Sequence, residues 1–582
     1  MRIFFLTHAF NSLNQRLFAE LTRQGHQISV ELDINDDVTR EAVALYQPEL
    51  IIAPILKRAI PADIWRNHLC LIVHPGIKGD RGPSSLDWAL LEGEQRWGVT
   101  VLQAEAEIDA GAIWASREFP VVSDRKASVY RNELTEAAVE AVLAAVSRAE
   151  RGDRRPEPLD YSRDDVRGGW RPAMRQADRA IDWQRDDTAT VLRKILSADS
   201  QPGVLDRIAG IQAFIYDAHP EEGLSGEPGE LLARRGNAVC RATADGAVWI
   251  GHLRPEDPEG GHPFKLPAAH VLHQVAGELS ESAMPFWKSE DRTYQDIAYD
   301  EADGVGFLSF GFYNGAMGVA ECERLLAAYR RALQRDTRVL VLLGGRDFWS
   351  NGIHLNRIEA ANSPADEAWA NIQAMNDLVR AILTTDDRLT VAAMRGNAGA
   401  GGVFLGLAAD HVVARSGVVL NPHYKNMGNL YGSEYWTFSL PRKVGEATGR
   451  AVMAHRLPLL ADEALEIGLV DELVGHSPED TGAEVTRRAK EWAASEALPD
   501  CLTRKRQVLA EAEAEKPLDQ YRSEELEGLR LNFYGFDPSF HVARYNFVHK
   551  VASSRTPLYL ASHRRLRRQG ANQKAGSIAQ AG

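Results

Sequence analysis

Three stretches of the sequence hold residues able to polarise a carbonyl group or move a proton. In "LIVHPGIKGDRGP" (71–83), His74 ends an apolar run, Pro75 and Gly76 follow at once, and an Arg81-Gly82-Pro83 turn comes next. An imidazole there could steady a developing oxyanion or carry a proton. In "RGNAGAGG" (395–402) the glycines can bring backbone N–H donors close to a ligand, because no Cβ intervenes. The cluster fits no Walker pattern and only loosely resembles a dinucleotide fingerprint. In "NPHYKNMGNLYGSEYWTF" (421–438), tyrosines and polar groups are dense, and His423, Tyr424, Tyr431, Ser433, Glu434 and Tyr435 are candidate acids or bases. Each stretch also has a plain structural reading: a satisfied strand-end histidine, a tight glycine turn, packed tyrosines.

The elements that must position these groups are legible. The first 150 residues alternate "RIFFLT", "LNQRLFAELTRQG", "ISVEL", "VTREAVALYQP", "LIIAP" and "LCLIVHP", a strand–helix alternation that predicts a parallel α/β sheet. Ligands bind such sheets at the carboxyl ends of strands, where His74 falls. "RGDRRPEPLDYS" (151–162) reads as a linker out of the sheet. Short strands with turn signals then predict a small antiparallel barrel. A second hinge is expected at 254–263, and a new domain begins near "DRTYQDIAYD". In it, Val319, Cys322, Leu326, Tyr329 and Leu333 fall on one helical stripe. The tail after Arg564 is expected to be mobile.

At 582 residues the chain is too long for a single core. The formal charge of −14 argues against nucleic acid as a partner. No apolar run approaches a signal-peptide core or a membrane span, so a cytoplasmic protein without a membrane partner is expected. Cys70, Cys240, Cys322 and Cys501 form no CxxC pair, so neither a disulfide framework nor a cysteine metal site is expected, and each is read as a buried apolar thiol.

The stretches "LIVHPGIKGDRGPSSLDWALLEGEQRWGVTVLQAEAEIDAGAIW" and "IDW…VLRKILSADSQPG…GEPGELL" resemble the folate-dependent formyltransferases, with HP, RGP, WA, GVT and DAG in that family's order. The likeness covers about residues 1–275. It implies a Rossmann-like sheet over 1–160 and an OB-like barrel over 165–275, with His74 and Asp109 as catalytic residues on 10-formyltetrahydrofolate. Arg81, Gly82 and Pro83 would shape a turn over the pterin pocket. Position 72 is Ile where the family has Asn, which removes one hydrogen-bond donor to the oxyanion. Asp109 could instead make an Asx turn before Gly111.

From 295 to 582, after a linker at 276–294, the chain is similar to the crotonases, the enoyl-CoA hydratases and isomerases. "RVLVLLGGRDFWSNGIHLN", "LTVAAMRGNAGAGGVFLGLAADHVVA" and "LADEALEIGLVDELV" stand in that family's order. The resemblance implies an oxyanion hole from the backbone N–H groups of Ile353 and Gly401. The two hydratase glutamates fall at Phe404 and near His423, so ordinary water addition should be absent.

The fusion of the two units resembles a family of hydrogenase maturation factors. That resemblance implies that a formyl group passes from 10-formyltetrahydrofolate to coenzyme A, and that formyl-CoA is decarbonylated to carbon monoxide for [NiFe]-hydrogenase. Maturation proteins would receive the gas. Arg131, Ser200, Gln201 and Asn314 are candidate coenzyme A contacts. Two other readings stay open: formyl transfer combined with a different acyl-CoA activity, or a non-catalytic CoA- or folate-binding scaffold.

Overall fold

A computed structural model describes residues 1–257 and 261–565. The expected mobile tail lies almost wholly outside the described residues, as does the middle of the 254–263 hinge. The described chain forms two compact units, one from Met1–Asp178 with residues 552–565, the other Arg179–Val551.

In the first unit, strands β1 (Arg2–Thr7), β2 (Gln27–Leu32), β3 (Leu50–Ala53), β4 (Cys70–His74), β5 (Arg96–Gln103) and β6 (Ile113–Pro120) form one sheet in the order β2-β1-β3-β4-β5-β6. The first four are parallel, and their continuous apolar runs are buried between helices such as Ser12–Arg23, which Asn11 caps through the Asn14 N–H. β5 and β6 run antiparallel, a departure from the all-parallel expectation. β5 lies directly beside β4, with His74 opposite Thr100.

Two boundaries also differ from expectation. The 151–162 stretch does not leave the sheet: Ile113 and Glu157 exchange backbone hydrogen bonds of 2.6 and 2.8 Å, and the Gly168 N–H donates to the Lys78 carbonyl at 2.9 Å. At the other end, residues 552–565 belong with the first unit and not with the crotonase-like part. Their groups satisfy the outer edge of β2, which would otherwise be an unpaired sheet edge. The Val30 N–H donates to Leu560 O at 3.0 Å, and His563 lies 2.7 Å from Ser29 Oγ and 3.0 Å from Glu31.

The second unit begins with an antiparallel sheet of β7 (Val204–Ile208), β8 (Ile211–Glu221), β9 (Leu231–Arg235), β10 (Ala238–Ala242) and β11 (Ala247–Pro255), to which β12 (Leu266–Pro267) adds. Its core includes Ile195, Ile215, Val248 and Ile250, closed by the helix Thr188–Ala198. The 276–294 stretch is pinned to this barrel: Arg235 donates to Tyr294 O at 2.9 Å and the Ser282 N–H to Arg234 O at 2.8 Å.

A hairpin of β13 (Ile297–Ala302) and β14 (Val305–Phe310) follows, turned by Asp303 and Gly304, both at positive φ as a two-residue hairpin needs. It heads a sheet with β15 (Val339–Leu343), β17 (Leu389–Met394), β19 (His411–Ala414) and β22 (Glu472–Leu473). β16 (Phe348–Ser350), β18 (Asn397–Gly399), β20 (Val419–Asn421) and β21 (Leu459–Leu460) make a second, shorter sheet. The helix Val319–Ala332 buries Cys322, Leu326 and Tyr329 of its stripe. Helices Leu498–Glu515, Leu518–Tyr534 and Ser539–Val548 complete the unit. Cys501 is exposed on the first of these, which buries only Leu498 and Ala512; the other three cysteines are buried. Among the described residues no helix is long and apolar enough to cross a membrane, and no group of three His, Cys, Asp or Glu could hold a metal ion.

Candidate active sites

The strand β4 delivers His74 to its carboxyl end, and the turn after it is fixed from both sides. Ser85 Oγ and Trp97 Nε1 donate to the Pro75 carbonyl at 2.7 and 2.9 Å, and Thr100 Oγ1 to the Gly76 carbonyl at 2.8 Å. These bonds hold a buried imidazole between two carboxylates. Its Nε2 is 2.8 Å from Asp80 Oδ2, while its Nδ1 is 3.6 Å from Asp109 Oδ1, beyond hydrogen-bond reach.

The carboxylate bonded to the ring is therefore Asp80, which sequence reasoning passed over, and not Asp109. Asp109 sits at φ +56° and accepts the Gly82 N–H at 3.2 Å. Gly76 permits the Asp80 contact, since a Cβ there would come within 2.4 Å of Asp80 Oδ2 and 2.5 Å of His74 Nε2. Arg81 and Gly82 form the expected turn, tied to the 169–171 segment: the Arg81 N–H donates to Gly169 O at 3.1 Å, and the Arg171 N–H to Arg81 O at 2.9 Å. The Arg81 guanidinium pairs with Glu107. Pro83 follows in the same turn, and Ile72 offers no polar side-chain atom to the site.

In the second unit, Ile353 and Gly401 lie on adjoining loops. A Cβ on Gly352, which is at φ +76°, would meet the Gly401 nitrogen at 3.3 Å. Among the described residues neither the Ile353 nor the Gly401 N–H donates to a protein acceptor. Gly401 opens the helix Gly401–Leu407, so its amide sits at a positive helix end.

A carboxylate stands beside that amide: a Cβ on Gly401 would meet Glu434 Oε1 at 2.2 Å. Glu434 is buried, and burial pushes its pKa up to about 7 against the hydrogen bonds that Tyr424 and Ser433 donate. The Tyr424 hydroxyl donates to Glu434 Oε2 at 2.5 Å, and burial, reinforced by that carboxylate, holds the phenol well above its ordinary value. Phe404, at the position of a hydratase glutamate, stacks on Tyr424 with ring centroids 5.5 Å apart.

Glu434 and Tyr435 both adopt left-handed backbone, at φ +61° and +56°, which for non-glycine residues costs on the order of 1–3 kcal/mol each. Two residues with no sequence signal hold that turn. Asn376 Oδ1 accepts the Glu434 N–H at 2.9 Å, and buried Glu525 accepts the Tyr435 and Thr437 N–H groups at 3.0 and 2.9 Å. Glu525 is likewise raised to about 7 by burial. Ser433 joins them, its Oγ 3.0 Å from Asn376 Oδ1.

The other candidates are placed elsewhere. Tyr431 is 43 % exposed and packs against Gly528 and Trp436. His423 is buried, and burial followed by the Arg456 charge lowers its pKa to about 4, so the ring is neutral. Lys265, which no motif marks, joins the Ser200 loop to Tyr313, the residue before Asn314: its Nζ donates to Ser200 O and lies 3.2 Å from the Tyr313 hydroxyl, and Gln201 follows Ser200 in the chain. The Asn314 carbonyl accepts from Asn351 at 2.8 Å, one residue before Gly352. Arg131 ends the helix Lys126–Arg131 of the first unit.

Three family models match the chain: formyl transferase over residues 24–146, the formyl transferase C-terminal domain over 173–260, and enoyl-CoA hydratase/isomerase over 316–528. The hydrogenase maturation factor HoxX of Bradyrhizobium diazoefficiens is 54% identical over 98% of both chains. The crystal structure of HypX from Aquifex aeolicus in complex with tetrahydrofolic acid is 50% identical, with a TM-score of 0.94, covering 97% of this chain and 99% of that one. A methionyl-tRNA formyltransferase of Citrifermentans bemidjiense is 24% identical over 40% of this chain and 70% of its own.

Proposed function

Since the chain belongs to the hydrogenase maturation factors represented by HoxX and HypX, we propose that it makes carbon monoxide for the iron of [NiFe]-hydrogenase in two steps. The first unit moves a formyl group from 10-formyltetrahydrofolate to the thiol of coenzyme A; the second splits formyl-CoA into carbon monoxide and coenzyme A. Tetrahydrofolate in the Aquifex relative supports the folate, and the hydratase-like match supports the thioester. Cytoplasmic placement and transfer of the gas to maturation proteins belong to the same reading.

The observation that carries the second step is the position of Glu434 over Gly401. The formyl oxygen would sit on the Ile353 and Gly401 amides, which polarise the carbonyl. Glu434, ionised above about pH 7, takes the formyl proton; the C–H pair becomes the carbon lone pair of carbon monoxide, and the C–S pair leaves with sulfur. The thiolate then recovers the proton. Tyr424 steadies the carboxylate through its 2.5 Å bond. Ser200, Gln201, Asn314 and Arg131 are proposed coenzyme A contacts, and Arg81, Gly82 and Pro83 the turn over the pterin. Glu434 is preferred to His423, whose pKa, lowered to about 4, makes it the weaker base, and to Tyr431, which is 43 % exposed.

Formyl-CoA supplied directly, with the gas trapped on haemoglobin, tests the step. Glu434→Gln and Tyr424→Phe should each lower the yield, while Tyr431→Phe should not. Equal output from all of them would remove the assignment.

A further inference from the structure

We infer that Asp80 is a positioning residue that makes His74 a base for a thiol. The inference rests on the formyl-transfer reading of the first unit and extends it to the state of the ring.

A carboxylate accepts hydrogen bonds and does not donate them, so the 2.8 Å contact with Asp80 Oδ2 places the ring hydrogen on Nε2. The Nδ1 lone pair then lies towards Asp109, whose carboxylate, 3.6 Å away, has no hydrogen to donate to it. Orientation of an imidazole by a carboxylate on one nitrogen, with the other nitrogen free to accept, is the logic of a nucleophile-activating base.

The surroundings are built for that contact. Asp80 is buried, and its Oδ1 has no hydrogen-bond partner among the described residues, so its charge is spent on the ring. Glycines admit it: a Cβ on Gly76 would collide with Asp80 Oδ2 and His74 Nε2, and one on Gly168 would lie 2.0 Å from the Asp80 nitrogen. When Nδ1 takes a proton, the resulting imidazolium lies between Asp80 and Asp109, two carboxylates that stabilise it.

A thiol acceptor needs such a base, because most of a thiol of ordinary pKa, about 8.5, is protonated at neutral pH. In the step, the proton passes from sulfur to Nδ1 and sulfur bonds to the formyl carbon. The bond from that carbon to the folate nitrogen then breaks, and the nitrogen takes the proton His74 holds. The aliphatic Ile72 fits this division, since the site's emphasis falls on removing a proton and less on extra donors to the oxyanion.

The test is Asp80→Asn. Its amide can donate to Nε2, which moves the ring hydrogen to Nδ1 and removes the base. Formyl-CoA formation from 10-formyltetrahydrofolate and coenzyme A should fall by about 10²–10⁴-fold at neutral pH. The remaining rate should rise about tenfold per pH unit until the thiol itself ionises, near about 8.5, so the loss relative to the wild type should shrink as the pH rises. Tetrahydrofolate affinity and melting midpoint should stay at wild-type values. A wild-type rate and pH profile, or a loss equal at every pH, would overturn the inference. Nitrogen-15 NMR of histidine-labelled protein, with His74 assigned by His74→Gln, reads the tautomer without turnover. Nε2–H in the wild type and Nδ1–H in Asp80→Asn is expected, and the same tautomer in both overturns the inference. If the wild type forms no formyl-CoA, the functional reading fails while the NMR result still decides the role of Asp80.

Discussion

Replacing Glu434 by Gln should weaken carbon monoxide release and at the same time make the protein more stable in alkali. The amide keeps the shape and can still accept from the Tyr424 hydroxyl and the Ser433 N–H, but it cannot take the formyl proton, so release from formyl-CoA should fall by about 10²–10⁴-fold. The stability effect follows from the same burial. Folding moves this carboxyl from its ordinary 4.5 to about 7, so the folded chain holds the proton more tightly than the unfolded one. Stability linked to the group is complete below about 4.5 and is lost as the pH rises through about 7. At about 1.4 kcal/mol per pH unit, the full loss is about 3 kcal/mol. Gln bears no such cost, so its advantage over the wild type should grow by about 2 kcal/mol between pH of about 5.5 and 8.5. Melting midpoints of the two proteins, recorded across that range, measure the gap. A gap that stays constant, or widens towards acid, would show that Glu434 is not a buried carboxyl with a raised pKa.

Gly401→Ala should abolish carbon monoxide release while leaving formyl-CoA formation intact, because the new Cβ would meet Glu434 Oε1 at 2.2 Å; separate assays of the two half-reactions check this. His74→Gln should do the reverse, losing about 10²-fold or more in formyl transfer but still decarbonylating formyl-CoA supplied from outside. Phe404→Ala should cost about 3–5 kcal/mol and loosen Tyr424, which stacks on that ring, giving a lower melting midpoint together with weaker carbon monoxide release. His423 carries the opposite sign to Glu434: its pKa falls from 6.5 to about 4 on folding, so linked stability is complete above 6.5 and is lost as the pH drops towards 4. His423→Gln should flatten the acid side of the melting profile.

The strand–helix alternation of the first sheet and the glycine cluster at 395–402 were legible in the sequence because both are local signals: continuous apolar runs, and glycines where backbone must approach backbone; the order of the strands and the antiparallel β5 and β6 were not. Glu434 was legible only as one of six candidate acids or bases in a tyrosine-rich stretch, since nothing local tells which of them is buried against the glycine loop. Asp80, Asn376, Glu525 and Lys265 did not stand out. Each acts across a distance in sequence or through a turn whose shape no motif encodes; Glu525 reaches Tyr435 and Thr437 from the helix Leu518–Tyr534. Asp80, only six residues from His74, was hidden because the turn between them has to close before the two side chains meet. The return of 552–565 to β2 was equally silent, since an edge strand's unpaired N–H groups are visible only once the sheet is assembled.

The most direct test of the account follows one carbon atom. Carbon-13 10-formyltetrahydrofolate and coenzyme A are given to the protein and the gas is captured on haemoglobin. Labelled carbon monoxide should appear only when both substrates are present, should vanish with His74→Gln or Glu434→Gln, and should return when the two variants are mixed. Label retained on folate, or released as formate with no carbon monoxide, would contradict it.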